Sequence, residues 1–411
     1  MRGMTAKRNR TGNIPDSRTQ KSRPLALILI LCLTGCASYQ YDLYAKPKHR
    51  EESAFVNWFK NTFIFQVQQG FDLARDIRVI ANCRKEASNL DENGNPPDSP
   101  LYTNRDTRFL TLDEIARGPN TEEPPRNPFT ITKLKESGSP GFFGKDSLGR
   151  GYLVKFDPPE YPELATGAEI VGNRIVHALG YNVPQAWISQ VEGTGDERFD
   201  GRRAMATRLV EGENLGFWRA SPFRHRREVR AIGLVYAFIN NTDAKETNTL
   251  VVWQDGKPVY YLIDFGSSLG SATFGPKEPK QGWENLWDFK VAVGNILTLG
   301  LGALRKPYDR HAAIFSNAVG LFDGRLNPRG WKPNYPNIAF EDMTEEDGRW
   351  MAAKIFALSD EQIRSVVKAA QYTRREDEDY IVRVLIARRN VIGRAYGIGL
   401  RKVAASNRRS E

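Results

Sequence analysis

DAKETNTLVVWQDGKPVYYLIDFG, residues 243–266, has a short polar motif at each end and two apolar runs between them. The runs, Thr249–Trp253 and Val259–Ile263, flank the pair Asp255-Gly256. An Asp-Gly pair between two such runs is a strong signal for a two-residue β-hairpin. The sequence therefore predicts a hairpin that is preceded by D-A-K-E-T-N and followed by D-F-G.

The two motifs carry side chains suited to metal and hydroxyl chemistry. Asp243 and Asn248 are five residues apart, a spacing at which a carboxylate can position an acceptor hydroxyl while an amide oxygen helps to hold a metal ion. Asp264 follows the second run, where its carboxylate could bind Mg²⁺ between phosphate groups. Taken alone, the first motif also fits a polar turn, and D-F-G is a common tripeptide.

A lysine and a glutamate upstream complete the candidate set. Lys155 interrupts the apolar strand Leu153–Phe156, and Glu169 follows 14 residues later on a predicted helix, Ala165–Leu179. A strand lysine aimed into a cleft can neutralise nucleotide phosphates, and a glutamate on the next helix can orient it. Either residue alone is more typical of a solvated surface charge.

Around these motifs the chain changes from strands to helices. Strands are predicted at Phe129–Lys135, Gly151–Phe156, Ala186–Val191 and Ala204–Val210. A helix marked by Val229, Ile232, Tyr236 and Ile239 precedes Asp243, and the chain is predicted to be helical after about residue 285. This order predicts an α+β, two-lobed protein-kinase-like fold, with a β-rich N-lobe, a mainly helical C-lobe and an N-terminal helical and loop extension.

The domain boundaries follow from the same pattern. We place a signal peptide at 1–35, a tether and extension at 36–127, the N-lobe at 128–214, the C-lobe at 215–400 and a flexible tail at 401–411. In such a fold the glycine-rich stretch Ser137–Gly144, with Gly138 and Gly141, would cover phosphates, although its glycines also fit a plain hairpin. The backbone around Val210–Gly212 would contact the adenine.

The N-terminus predicts export and a lipid anchor. A basic segment precedes the apolar run Pro24–Leu33, which at about ten residues is too short to span a bilayer. Leu33-Thr34-Gly35-Cys36 resembles the lipobox of bacterial lipoproteins, which implies cleavage before Cys36 and its diacylation. Ala37 stands where an aspartate would resemble an inner-membrane retention signal. We therefore expect a lipid-anchored, periplasm-facing envelope protein, at the outer membrane rather than the inner.

The distribution of charge argues against a nucleic-acid partner, and the cysteine content argues against an intramolecular disulfide. The net charge is +10, and six of these charges lie within residues 1–35, so the balance is a sorting feature and does not indicate nucleic-acid binding. With Cys32 removed and Cys36 acylated, Cys83 has no partner for an intramolecular disulfide. The cluster Arg224–Arg230 fits a solvated helix face or, alternatively, a contact with an acidic substrate or lipid headgroup.

Several local patterns carry further expectations. Phe55, Phe59, Phe63 and Val67 form a helical stripe that favours core packing over a membrane surface, and residues 89–126 are typical of an extended loop. Val291–Leu304 is apolar but too short and too broken to span a membrane. Ser359 with Gln362 and Thr373 with Glu376 predict capping boxes that open two helices.

The chain also resembles known families. Residues 149–184, GRGYLVKFDPPEYPELATGAEIVGNRIVHALGYNVP, are similar to the segment of HipA-type and secretory-pathway kinases that joins the lysine strand, the glutamate helix and the next strand. With residues 96–105, LIDFGSSLGS at 262–271 and WKPNYP at 331–336, the chain resembles a bacterial lipoprotein family with an atypical kinase-like core. The resemblance carries over these five residues: Lys155, Glu169, Asp243, Asn248 and Asp264.

The resemblance has departures that bear on substrate. Asn241-Thr242 stands where protein kinases have His-Arg before the catalytic aspartate, and no A-P-E follows the D-F-G. The first hypothesis is a phosphotransferase that uses Mg²⁺ (or Mn²⁺) with ATP or another nucleotide and an unknown envelope acceptor. The alternatives are a non-catalytic binding module and an AMP-transferring enzyme similar to the selenoprotein-O type. Export would place any of these where ATP is expected to be scarce.

Overall fold

The computed structural model describes residues 42–64, 77, 84–136, 138–297, 299 and 308–398. Apart from Ile77, these residues belong to one compact unit. The predicted signal peptide, the lipidation site Cys36, Cys83 and the tail at 401–411 lie outside the described residues. No helix within the described ranges is long and apolar enough to cross a membrane.

A five-stranded antiparallel sheet forms the first half of the fold. Its strands are β1 (Thr130–Leu134), β2 (Gly141–Lys145), β3 (Gly151–Phe156), β4 (Ala186–Val191) and β5 (Arg202–Arg208), in the order β1-β2-β3-β5-β4. The connection from β3 to β4 contains a helix, Leu164–Ala178. A helix therefore connects the third and fourth strands of this sheet, as the sequence order predicts.

Two smaller sheets follow. The strands β6 (Glu213–Asn214), β7 (Thr249–Gln254) and β8 (Lys257–Leu262) form an antiparallel sheet, and β9 (Ser271–Ala272) pairs with β10 (Gly275–Pro276). The turn between β7 and β8 has positive φ at both Asp255 (50°) and Gly256 (75°). Two positive φ values in a two-residue loop match the right-handed twist of the strands, which is why Asp-Gly closes this hairpin.

The rest of the fold is mainly helical. In chain order the α-helices within the described ranges are α1 (Ala54–Phe59), α2 (Leu112–Arg117), α3 (Leu164–Ala178), α4 (Arg227–Ile239), α5 (Phe289–Leu297), α6 (Ile338–Glu341), α7 (Glu345–Phe356), α8 (Asp360–Lys368) and α9 (Arg375–Ala395). All 13 residues of α4 are buried, so α4 is the central helix of the helical lobe. The α+β fold, with a β-rich lobe followed by a helical lobe, has the kinase-like order predicted from the sequence.

Two hydrophobic clusters lie on opposite faces of the five-stranded sheet. One is small and aromatic and includes Phe142, Tyr152 and Phe156. The other includes buried residues of α3, α4, α7, α8 and α9. Along β3 the residues Tyr152, Val154 and Phe156 are buried in the aromatic cluster. Because side chains alternate along a strand, Lys155 points to the opposite face, towards α3.

Several local expectations need correction. The segment expected to be an extended loop contains α2, which is opened by a capping box between Thr111 and Glu114. The capping box at Ser359 and Gln362 is present, whereas Thr373 and Glu376 form none. The backbone N–H and the hydroxyl of Thr373 instead donate to the Glu163 carboxylate. The Thr373 hydroxyl therefore bonds to the residue that precedes the helix Leu164–Ala178 and does not cap the helix that follows it.

The aromatic stripe of α1 is a second correction. Phe59 is 44% exposed, and among the side chains described for this segment Asn57 and Asn61 are buried. The Asn61 amide donates to the Asn57 backbone oxygen at 2.8 Å, and Thr247 Oγ1 donates to Asn57 Oδ1 at 3.3 Å. The described side chains that this segment buries are therefore polar, and the prediction that Phe59 packs in the core is wrong. The side chains of Phe55 and Phe63, and all of Val67, lie outside what is described.

The arginine cluster is neither a solvated face nor a free headgroup site. Arg227 and Arg230 are buried, and both donate to the Asp347 carboxylate, at 2.9 and 3.1 Å. Arg224 donates to Asp342 at 2.5 Å. The cluster fastens the start of α4 to the segments around α6 and α7. Sequence spacing could not show this because Asp342 and Asp347 lie more than 100 residues away along the chain.

Candidate active site

Lys155 lies at the centre of the candidate site. Its Nζ is 3.0 Å from Asp264 Oδ1 and 3.7 Å from Glu169 Oε2, and its side chain is 12% exposed. The lysine comes from β3, the glutamate from α3, and the aspartate follows β8. The structure thus brings together three charged residues that the sequence places on three separate elements.

Helix α3 is fastened at its N-terminus, which fixes the position of Glu169. Asp157, two residues after Lys155, accepts hydrogen bonds from the backbone N–H groups of Glu163, Ala165 and Thr166 at 2.8 to 3.0 Å. A carboxylate in this place satisfies orphan donors and interacts favourably with the helix dipole. Through Glu163 and Thr373, the same helix end is joined to the segment before α9.

The D-F-G segment packs directly on α3. Phe265 is fully buried, and a Cβ added to Gly172 would lie 2.7 Å from the Phe265 Cβ. Only glycine allows the helix to approach this closely. The preceding Asp264 has φ 64°, a left-handed conformation that a residue other than glycine adopts at a cost. Phe265 therefore fixes the segment, and the unusual backbone at Asp264 sets the direction of its carboxylate.

Asp243 and Asn248 form a second, connected group at the end of α4. The Asn248 amide donates to the backbone oxygen of Asp243 at 2.8 Å and to its Oδ2 at 3.0 Å. Lys245 Nζ donates to the same Oδ2 at 2.7 Å. The six-residue motif is therefore a closed loop in which an amide and an ammonium orient one carboxylate.

The two groups adjoin each other. The backbone N–H of Ile263 donates to the Asn248 oxygen at 3.1 Å, which continues the β7–β8 ladder by one step. Asp264 is the next residue beyond this bond. The hairpin register consequently brings the metal candidates Asn248 and Asp264 to one end of the small sheet.

The charges in the site reinforce one another. Burial acts to lower the pKa of Lys155, but Asp264 and Glu169 outweigh it and hold this pKa above its ordinary value. Burial raises the pKa of Glu169, opposed by Lys155 and by the backbone N–H groups of Phe265 and Gly266. For Asp264 burial also acts upwards, but Lys155, Lys245 and Lys135 together lower its pKa. Lys155 and Asp264 are thus held in their charged forms.

Two further lysines that were not predicted from the sequence belong to the site. Lys245 lies inside the D-A-K-E-T-N motif, and Asp243 holds its pKa above the usual range against the effect of burial. Lys135 follows β1; burial lowers its pKa, as do Lys155 and Lys245, while Asp264 raises it. Lys245 could have been predicted as a site residue from its position inside the D-A-K-E-T-N motif. For Lys135, the signal was its position beside the glycine-rich stretch.

The residues present fit a magnesium ion bound together with phosphates. Mg²⁺ is usually held by one or two carboxylates or similar oxygen ligands, with phosphates and water completing its shell. Asp264 offers a carboxylate kept anionic by its lysines, and Asn248 offers an amide whose nitrogen is committed to Asp243. Among the described residues no three His, Cys, Asp or Glu side chains converge as a self-contained metal site.

Of the four remaining predicted binding residues, Gly141 lies beside Lys155. Gly141 pairs with Lys155 across β2 and β3, and a Cβ there would lie 2.3 Å from the Val154 oxygen. Gly138 lies in the turn before β2 with φ 74°. Part of the predicted phosphate-covering loop is therefore strand β2, which agrees with the alternative of a plain hairpin for residues 141–144.

Val210 and Gly212 lie in the connection from β5 to β6. Both line an open cavity of about 580 Å³, together with Gln185, Trp253 and other residues. Lys155 and Asp264 are not among the residues that line it. A contact between adenine and this connection is thus neither supported nor opposed by the cavity, and it stays a prediction.

The fold has similarities to solved structures of kinases and a toxin. The first is the Helicobacter pylori proinflammatory kinase CtkA, 13% identical over 66% of this chain and 98% of that one, with a TM-score of 0.38. The second is the Shewanella oneidensis toxin–antitoxin protein HipA, in complex with HipB and operator DNA, 10% identical over 69% and 71%, with a TM-score of 0.32. The third is the Mycobacterium tuberculosis PknI kinase domain, 14% identical over 62% and 95%, with a TM-score of 0.23.

No family model and no curated protein sequence matches this chain. At the low TM-scores above, the kinase-like assignment depends on the strand order, the following helical lobe and the meeting of Lys155, Glu169 and Asp264.

Proposed function

We propose that this chain is a lipid-anchored envelope phosphotransferase that uses a Mg²⁺-bound nucleotide. The observation that carries the proposal is the position of Lys155 Nζ, between Glu169 and Asp264, with Asp243 and Asn248 joined at the adjacent end of the hairpin. A scaffold gains little from bringing Lys155 and Glu169, both largely buried, together with Asp264, because each desolvated charge costs free energy. A phosphate-binding site needs them.

Each residue has a role in this proposal. Lys155 would bind the nucleotide phosphates, Glu169 would orient it, and Asn248 and Asp264 would hold Mg²⁺, whose charge would stabilise the phosphates when bound. Lys245 and Asn248 both donate to Asp243 Oδ2, so, within the described structure, Oδ1 is the oxygen available to an acceptor hydroxyl. Asp243 would take that hydroxyl's proton as the acceptor oxygen bonds to the terminal phosphorus and the bond to the nucleoside diphosphate oxygen breaks.

Nucleotide binding is the first part to test. We expect Mg²⁺–ATP, Mn²⁺–ATP or another Mg²⁺–nucleotide to raise the melting temperature of the purified protein, because a ligand bound only by the folded state stabilises it. At 100 times the dissociation constant the gain is about 2.7 kcal/mol. No shift with any metal–nucleotide pair would favour a non-catalytic binding module instead.

Mass analysis of the modified product distinguishes the two transfer reactions. Phosphoryl transfer adds about 80 Da to the acceptor and AMP transfer about 329 Da, as the transferred groups require. The proposal expects the smaller addition. The larger one would assign the site to AMP transfer.

The anchor is a separate part of the proposal, and it depends on Leu33-Thr34-Gly35-Cys36. We expect the Cys36→Ser variant to lose incorporation of labelled palmitate in a bacterial host, because the acylated thiol is absent. Cys83→Ser is the matched control and should be labelled like the wild type. Equal labelling of Cys36→Ser and wild type would remove the anchor without affecting the nucleotide proposal.

A further inference from the structure

Lys277 is a buried lysine that the proposed reaction does not use. It follows β10, is 4% exposed, and its backbone N–H donates to the Gly270 oxygen at 2.8 Å. Its Nζ donates to Thr242 Oγ1 at 2.6 Å and to the Ser267 backbone oxygen at 2.7 Å. One ammonium group therefore joins two segments that are 25 residues apart along the chain.

Each of the joined residues is adjacent to a site motif. Thr242 immediately precedes Asp243, and Ser267 immediately follows the D-F-G. The Thr242 N–H also donates to the Ser267 oxygen, at 3.3 Å, and the Thr242 oxygen accepts from Asn334 N–H at 2.7 Å. Thr242 is thus held through its N–H, its carbonyl and its hydroxyl, and Lys277 supplies the hydroxyl contact.

The free-energy cost of burying Lys277 among neutral partners indicates that this lysine has a structural role. Both hydrogen-bond partners of the Lys277 amine are neutral oxygens, and burial of a polar amine costs free energy whether the amine is neutral or charged. Burial lowers the pKa of Lys277 to about 7, with Arg388 acting in the same direction and Asp243 against it. An apolar side chain of the same length would fill the space without that cost.

We propose that Lys277 is a positioning residue that fixes the Asp243 loop against the segment following Asp264. It acts through Thr242 and Ser267 and touches neither nucleotide nor acceptor. The inference rests on the proposed function, because the geometry being fixed is that between the acceptor-positioning carboxylate and the metal-binding segment. A displacement of about 1 Å between such groups can lower a reaction rate about 100-fold.

The test compares Lys277→Met with a matched control, Arg230→Met. Methionine keeps the unbranched stem and removes the donors. Arg230 is equally buried, and its bonds go to Lys85, Arg224 and Asp347, away from both motifs. We expect Lys277→Met to lower kcat for Mg²⁺–ATP turnover 10- to 100-fold, on the order estimated above, with the ATP dissociation constant within about threefold of wild type.

Thr242→Val gives the second comparison, because it removes only the hydroxyl that accepts from Lys277. The double variant should be no worse than Lys277→Met alone, as expected when two side chains act through one contact. A loss of kcat no larger than that of Arg230→Met, or fully additive losses in the double variant, would overturn the inference.

Amide hydrogen exchange separates this inference from the proposed function. The N–H groups of Thr242, Leu269 and Asn334 donate within the joined segments, so their exchange should accelerate in Lys277→Met and not in Arg230→Met. If wild-type protein binds no metal–nucleotide, the proposed function fails, and the exchange rates alone decide whether Lys277 holds the two segments. Unchanged exchange at all three amides refutes the positioning role in either case.

Discussion

Asp264→Asn is expected to lower Mg²⁺-dependent nucleotide turnover by a factor on the order of 10² to 10³ while leaving the fold intact. The change removes the negative charge that would hold the metal but keeps the shape of the side chain. Asparagine also tolerates the left-handed backbone at this position, where φ is 64°. The measurement is kcat at saturating Mg²⁺–ATP, together with the circular dichroism spectrum and the melting temperature.

Asp255→Asn is a close control for that change. Asp255 is exposed at the tip of the β7–β8 hairpin, and its φ of 50° is also positive. The same substitution in a similar backbone should leave turnover unchanged, since asparagine suits this turn equally well. Equal turnover in Asp264→Asn and wild type would remove Asp264 from the metal site.

Lys155→Met is expected to abolish phosphate binding and to destabilise the protein in a pH-dependent way. The side chain is 12% exposed and lies between two carboxylates. Removal of one partner from a buried charge group costs about 3 to 5 kcal/mol, because the remaining charge loses its compensation. Urea unfolding and nucleotide titration measure the two effects separately.

The sign of the pH dependence follows from Glu169. Burial already raises its pKa, and Lys155 opposes that rise, so the pKa should be higher still in Lys155→Met. A group whose pKa is raised in the folded state contributes stability at low pH and loses it as pH increases. The variant should therefore lose stability relative to wild type as pH increases from about 5, above the ordinary glutamate pKa.

Glu169→Gln in the Lys155→Met background separates the loss of stability caused by the Glu169 carboxylate from the loss of phosphate binding. The double variant no longer contains the buried Glu169 carboxylate, so it should recover the part of the lost stability that Glu169 causes, and the pH dependence that follows from Glu169 should disappear. It should not recover nucleotide binding, because the lysine is still absent. Recovery of binding would show that Lys155 has no direct role with phosphates, and a pH-independent loss in the single variant would contradict the assignment to Glu169.

The fold was predictable because its local signals are consistent with one another. The Asp255-Gly256 pair predicts a hairpin, the strand lysine predicts β3, and the apolar spacing before Asp243 predicts α4. Each of these depends on residues close together in sequence, where turn chemistry and periodicity act. The strand order itself follows from short antiparallel connections around a single helical crossover.

The contacts that complete the site depend on residues far apart in sequence. Lys277 lies near Thr242 only because the β9–β10 hairpin folds back over Gly270, and no pattern around Lys277 indicates this. The pairing of Thr373 with Glu163, which replaces a capping box, spans 210 residues. Periodicity describes which face of an element is apolar but not which distant side chain it meets.

The fastening of α3 by Asp157 has a consequence for how ligand affinity arises. A protein whose binding-competent conformation is populated one time in about a hundred binds its ligand about a hundredfold more weakly than the intrinsic affinity. Here Asp157, two residues after Lys155, bonds to the backbone at the start of α3, so the elements that carry Lys155 and Glu169 are fastened to each other. Such fastening lowers the free energy that a ligand would have to spend on ordering the lysine–glutamate pair. We expect a helix fastened in this way to resist swinging away from the strand that carries Lys155.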